Sequence, residues 1–184
     1  AQWKREKLDN TWFDGDTINA SIGQGFFLAT PLQLAVMTAR IASRGRQITP
    51  HLVDASNGLT IEYPAEQIAI DEQHWDYLHE SMRQVVEGVR GTARSIYNEQ
   101  YSIAGKTGTA QVISIGADEE YNRDELTKRQ RDHALFVAFA PVESPRIAIG
   151  LIIENGEHGS SVAAPVARKL FDRYMALYPQ QEQF

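Results

Sequence analysis

Between Thr30-Pro31 and Gly45 the apolar residues Leu32, Ala35, Val36, Ala39 and Ala42 recur at helical spacing, and Leu34, Met37 and Ile41 make the opposite side apolar as well. A threonine N-cap, a proline at the first helical position and a glycine stop agree with that pattern. It predicts a helix buried over most of its surface. A second helix is predicted from Asp71 as N-cap to the Gly88–Gly91 region, with Trp75, Leu78, Met82, Val85, Val86 and Val89 on one face and Glu72, Glu80, Arg83 and Glu87 on the other. Residues 46–70 lack a long period and read as short extended pieces, with Asn57-Gly58 as a hairpin turn between Leu52-Val53 and Leu59-Thr60-Ile61.

Three strands are predicted next: Ser102 to Ile113, His133 to Ala140, and Arg146 to Glu154, the last two joined by the tight turn Pro141 to Pro145. In the third, Ile147, Ile149, Leu151 and Ile153 alternate with Ala148, Gly150 and Ile152, so both faces are apolar and both must be covered by helices. Pro165 opens a closing helix with Val166, Leu170, Tyr174 and Leu177 on one face, and Pro179 to Phe184 should fray. The first ~20 residues carry Trp3, Trp12 and Phe13 among polar residues without a period of either kind, and read as a connector entering a domain already in progress. Residues 118–132 hold six acids and four bases, read as a solvated loop, with a flap beside a site as the functional alternative. The fold class that follows is α/β, or more narrowly α+β, with an antiparallel sheet between helices.

Composition narrows the function. A chain of 184 residues with 42 % hydrophobic side chains can bury a core, and its net charge of −6 gives no basic field to attract nucleic acid. The absence of cysteine removes thiol nucleophiles and thiolate zinc sites. His51, His74, His79, His133 and His158 lack metal-ligand spacing, and His133 reads as a hydrogen-bonded structural residue. Neither a metal nor a cofactor is expected. No stretch reaches the ~18–20 continuous apolar residues of a membrane span, so any anchor would lie outside these residues.

The chemistry concentrates in Ala104-Gly105-Lys106-Thr107-Gly108-Thr109-Ala110-Gln111. Glycine weakens a strand and is tolerated where a backbone or ligand must come close. Period two sets Thr107, Thr109 and Gln111 on one side and Lys106 on the other, so hydroxyls beside an ammonium make a carboxylate site on a strand able to pair with an extended peptide. A phosphate-binding loop is disfavoured because its first glycine would fall at Gln100 and a strand pattern continues where a helix should open. The Glu154 to Ser161 loop has glycines suited to a turn and, alternatively, amides that could hold an anion.

Lys106-Thr107-Gly108-Thr109 resembles the third motif of the penicillin-recognising serine enzymes, the group of penicillin-binding proteins and serine β-lactamases. Ser21-Ile22-Gly23-Gln24-Gly25, Thr30-Pro31-Leu32-Gln33, Gly91-Thr92-Ala93 and the run from Arg131 to Pro141 follow the order and spacing of class B, monofunctional transpeptidases, closest to those serving cell elongation in Gram-negative bacteria. The resemblance implies a D,D-transpeptidase that crosslinks peptidoglycan stem peptides through a serine acyl-enzyme and is acylated by β-lactams. It implies that Lys106 arranges charge around the nucleophile, that Thr107 and Thr109 bind the terminal carboxylate, that the Thr109 amide helps hold the oxyanion, and that Gly108 allows close approach. It further implies residence at the periplasmic face of the bacterial inner membrane and elongation-machinery membrane proteins as partners.

The family's first motif, serine with lysine three residues on, occurs nowhere in the chain, and a Ser-x-Asn motif is also missing. The chain is therefore expected to be the carboxyl-terminal part of a transpeptidase domain, inactive alone, with the serine on the remainder of the same polypeptide. Rival readings are a D,D-carboxypeptidase or β-lactamase of the same fold, and a non-catalytic module that binds cell-wall peptide or antibiotic.

Overall fold

The computed structural model describes residues 2–113 and 126–179, which fall into two compact units divided between Thr30 and Pro31. The acid-rich part of the predicted 118–132 loop and most of the predicted fraying tail lie outside the described residues. No described helix is long and apolar enough to cross a membrane.

The first unit corrects the connector reading, for it holds two short helices, α1 (Gln2–Leu8) and α2 (Asp14–Ser21). Polar and aromatic contacts fasten them instead of an apolar stripe. Lys4, only 4 % exposed, donates to Asp16 Oδ2 at 2.6 Å and lies over the rings of Phe13 and Phe26 at 5.1 and 5.0 Å. Asp16 also accepts the Phe13 amide at 2.8 Å, satisfying a free donor at the start of α2. The Lys4 hydrogen bond and then the Phe13 amide hold the Asp16 carboxyl below the usual carboxylate range.

In the second unit, α3 (Pro31–Ala42) precedes a minimal hairpin of β1 (Ala55–Ser56) and β2 (Leu59–Thr60). The hairpin turns at Asn57 and Gly58, with φ of 52° and 80°, the left-handed pair that a two-residue turn requires. Helix α4 (Glu72–Glu87) follows, with Asp71 accepting the Gln73 amide at 3.1 Å as its cap. Strands β3 (Ala104–Ala110), β4 (His133–Ala140) and β5 (Ile147–Ile153) form an antiparallel sheet in that order. Registers such as Lys106 opposite Val137 and Ala138 opposite Ile149 fix which side chains share a face. A single wide turn at Gly159–Ala163 leads into α5 (Ala164–Leu177).

Alternation along the strands divides the core between the two sheet faces. Ala134, Phe136 and Ala138 of β4 and Ile147, Ile149, Leu151 and Ile153 of β5 pack with Ala164, Ala167 and Phe171 of α5. Phe139 and Ala104 pack on the other face with Ala42 of α3 and Met82 of α4. Burial of each of Phe136, Phe139 and Phe171 contributes roughly 1.5–3 kcal/mol. Gly150 lets α3 lie directly on β5, since a Cβ there would come within 2.7 Å of the Ala35 amide nitrogen.

Two helix faces differ from the sequence reading. Leu32 and Met37 of α3 are 60 % and 43 % exposed, because only the side crossing the sheet is covered. On α5 the buried residues are Ala164, Ala167 and Phe171, whereas Val166, Leu170 and Leu177 face outward. Close packing on a sheet selects small residues, which an apolar count undervalues.

Candidate active site

Strand β3 is an edge of the sheet, and its packing against β4 explains Gly105. A Cβ on Gly105 would lie 2.7 Å from Phe136 Cζ and 2.9 Å from Val137 O, so this position presses on β4 and the α5-facing core. The next residue, Lys106, thus faces the opposite side, where it lines a groove of about 380 Å³ with Ser81, Gln84, Val85, Arg90 and Thr92. Its ammonium donates to Thr107 O at 2.7 Å. Gly108 meets Gly159, where a Cβ would fall 2.7 Å from Gly108 O and 2.3 Å from Leu135 O.

The two threonines keep the alternation read from the sequence, and each is held from outside its strand. Thr107 Oγ1 lies 3.1 Å from Thr92 Oγ1, in the segment between α4 and the short 3₁₀ turn Arg94–Ile96. Thr109 Oγ1 donates to Glu157 O at 3.3 Å. The strand therefore presents two hydroxyls on one side, able to hold a carboxylate, and an ammonium on the other, able to steer a proton transfer at the strand's edge.

The support beneath these groups was not legible as such. Arg168 donates to the carbonyls of Ile96 and Tyr97 at 3.0 and 2.7 Å and through Nε to Asp172 at 2.8 Å, tying α5 to the turn that follows Thr92. Tyr101 also donates to Asp172 at 2.6 Å, and burial followed by this hydrogen bond pushes its phenol up to about 12. At the start of β3, Ser102 donates to Glu143, and this holds the Glu143 carboxyl below its ordinary value. The residue pattern of Gly91-Thr92-Ala93 was a usable signal for Thr92; nothing comparable marked Arg168.

The Glu154 to Ser161 loop is a built turn, and the amides of residues 155–158 are committed internally. Asn155 N–H donates to His133 Nδ1 at 3.0 Å, Gly156 N–H to Ile153 O at 3.2 Å and Glu157 N–H to Asp132 O at 2.8 Å. The bond from the Asn155 amide gives His133 the structural hydrogen bond expected of it. Among the described residues no cluster of His, Asp or Glu has the arrangement of a metal site.

Comparison with known proteins shows the family. Residues 4–172 match the penicillin binding protein transpeptidase domain. The peptidoglycan D,D-transpeptidase MrdA of Acinetobacter baumannii is 44 % identical over 180 residues, covering 95 % of this chain and 26 % of that protein. The Pseudomonas aeruginosa PBP2 crystal structure in complex with WCK 5153 superposes with a TM-score of 0.80 at 41 % identity, over 97 % of this chain and 38 % of that one. PBP2 of Helicobacter pylori, solved in complex with MreC, gives 0.77 at 33 % identity over 96 % of this chain and 30 % of that one. The chain thus spans 26 % of the length of the Acinetobacter relative, and the lysine-bearing edge strand lies within the shared part. With the sheet, the Lys106 to Thr109 edge and the match over nearly its whole length in agreement, the chain belongs to the penicillin-binding protein transpeptidase domain family.

Proposed function

We propose that this chain forms the Lys-Thr-Gly wall of the active site of a peptidoglycan D,D-transpeptidase of cell elongation, and that the nucleophilic serine belongs to a segment of the same polypeptide outside it. The observation that carries this reading is the edge strand itself. Lys106 opens on a groove, while Thr107 and Thr109 stand two residues apart on the other side with their hydroxyls held by Thr92 and Glu157 O. No Ser-x-x-Lys occurs among the 184 residues to supply the nucleophile.

On this reading the serine Oγ attacks the carbonyl carbon between the two terminal D-alanines of a stem peptide. The carbon–nitrogen bond breaks, and D-alanine leaves as an amine after taking up a proton. An amine from a neighbouring stem then attacks the acyl-serine, forming the crosslink and returning a proton to the serine. Thr107 and Thr109 donate to the terminal carboxylate and fix the stem's position. The Thr109 amide, on the edge of the sheet, supplies an oxyanion donor. Lys106 places a positive charge beside the serine, favouring the proton transfers that attack and departure require. Gly108 keeps this backbone free of a side chain at the point of approach. β-Lactams carry an equivalent carboxylate and acylate the same serine.

The site belongs, on the same reading, at the periplasmic face of the bacterial inner membrane, with the anchor outside this chain. The likeness to the Helicobacter pylori PBP2 solved in complex with MreC supports elongation-machinery membrane proteins as partners. The test is mass spectrometry of the longer polypeptide after incubation with benzylpenicillin. A covalent adduct on a serine outside these 184 residues is expected, together with slow release. A polypeptide that binds the antibiotic without gaining covalent mass is a binding module, and rapid hydrolysis identifies a β-lactamase.

A further inference from the structure

The turn between β5 and α5 holds more contacts to the segment leading into β4 than closing a loop requires. Asn155 adopts φ 56° and Glu157 φ 66°, left-handed conformations uncommon for residues other than glycine. Asn155 spends both its amide groups on one segment. Its side-chain nitrogen donates to Arg131 O at 2.8 Å and Arg129 O at 3.2 Å, while its backbone N–H donates to His133 Nδ1 at 3.0 Å. Two residues on, Glu157 N–H donates to Asp132 O at 2.8 Å, and its carboxylate lies 3.7 Å from the Arg131 guanidinium. These bonds fasten the turn to the start of β4, the strand paired with β3. What the fastened turn then presents to β3 is the Glu157 carbonyl, which accepts the Thr109 hydroxyl.

We infer that Asn155 is a positioning residue for carboxylate recognition: it locks the turn that sets the Glu157 carbonyl, and through that carbonyl the rotamer of Thr109. The inference rests on the reading of Thr109 as a carboxylate-binding residue. Threonine has three staggered χ1 wells, and only one of them directs its hydroxyl as seen here. The 3.3 Å bond is long enough for an arriving carboxylate to take the proton's attention without a change of rotamer. Glu157 thereby holds the hydroxyl in place before the ligand arrives, which lowers the ordering cost of binding. Releasing the turn frees the rotamer and weakens recognition of the carboxylate specifically.

The experiment compares acylation of the longer polypeptide by benzylpenicillin and by its methyl ester, which lacks the negative carboxylate. Because both ligands meet the same folded fraction, the ratio of their second-order acylation rate constants is insensitive to a general loss of stability. Wild type is expected to favour the acid, and Thr109→Val to reduce that preference. Asn155→Gly keeps the left-handed backbone and removes the side-chain amide. It is expected to lower the acid-to-ester ratio about three- to ten-fold, the scale of a freed rotamer and a weakened hydrogen bond. Adding it to Thr109→Val should lower the ratio no further. If Asn155→Gly slows both ligands equally and leaves the ratio at the wild-type value, Asn155 is merely structural and the inference is overturned. If Thr109→Val also leaves the ratio unchanged, the carboxylate reading fails first and takes the inference with it.

Discussion

The hydroxyl oxygens of Thr92 and Thr107 lie 3.1 Å apart, joining the segment after α4 to the edge strand. One hydroxyl must donate and the other accept. When Thr92 donates, the Thr107 proton is left for a ligand carboxylate, and the two bonds polarise one another. Thr92→Val is therefore expected to slow acylation by benzylpenicillin about three- to ten-fold in the longer polypeptide, the scale of one neutral hydrogen bond. Stopped-flow acylation kinetics measure it. A rate within twofold of wild type would show that Thr107 orients itself.

Gly105 is required by crowding, since it lies in an extended strand and an added Cβ meets Phe136 Cζ at 2.7 Å and Ala138 Cβ at 2.9 Å. Gly105→Ala is expected to destabilise the second unit by about 1–3 kcal/mol, as overpacking does, with a thermal midpoint several degrees lower. Gly15 in α2 has nothing within 4 Å of an added Cβ. Gly15→Ala should leave the midpoint unchanged or slightly raised. Differential scanning calorimetry of the two variants distinguishes crowding from a general intolerance of substitution.

How much of this arrangement the sequence announced depends on what holds each part. The alternation of Ile147, Ile149, Leu151 and Ile153 made β5 and its two covered faces legible, because strand burial has a period of two. Asp71 announced α4 through its cap, and Asn57-Gly58 announced the hairpin through their left-handed turn. Helices α1 and α2 were hidden because their contacts run through Lys4, Asp16 and aromatic rings, with no apolar stripe to recognise. The face of α5 was misjudged because Ala164 and Ala167 pack where bulk cannot enter. For the site, Lys106, Thr107 and Thr109 stood in one short motif. Their supports, Arg168 under the Thr92 segment and Asn155 beside Glu157, are 72 and 24 residues from the carbonyls they hold at Ile96 and Arg131, distances no local pattern spans.

Tyr101 gives the second unit an alkaline signature. Its pKa is raised to about 12 from an ordinary value of 10.0, by burial first and by its hydrogen bond to Asp172 second. In the unfolded chain the phenol loses its proton near 10, while the folded chain keeps it to about 12, so the folded state binds more protons between those values. The associated stability is present below pH 10 and is lost as pH rises toward 12. Ultraviolet titration should show a phenol ionising at about 12 that is absent in Tyr101→Phe. Urea unfolding of that variant should also depend less steeply on pH in the same interval. A wild-type titration with no phenol ionising above the ordinary tyrosine range would mean that Tyr101 is open to solvent.

Lys106 makes the sharpest test of the proposed chemistry, because in this structure its ammonium rests on the Thr107 carbonyl, 2.7 Å away, at the edge of a groove. It is exposed and takes part in none of the salt bridges found among the described residues, so its removal should cost the fold little. Removing a preorganised charge from the reacting centre should instead slow acylation of the longer polypeptide on the scale of ~10²–10³. Lys106→Ala is expected to combine an unchanged thermal midpoint with that loss. Lys106→Arg keeps the charge but brings a planar, bulkier guanidinium that does not give up its proton, and the two variants separate the contributions. If Lys106 acts only as a fixed charge, Lys106→Arg recovers much of the rate. If it also exchanges protons during the reaction, Lys106→Arg remains close to Lys106→Ala. A Lys106→Ala polypeptide that acylates at the wild-type rate would remove this strand from the mechanism.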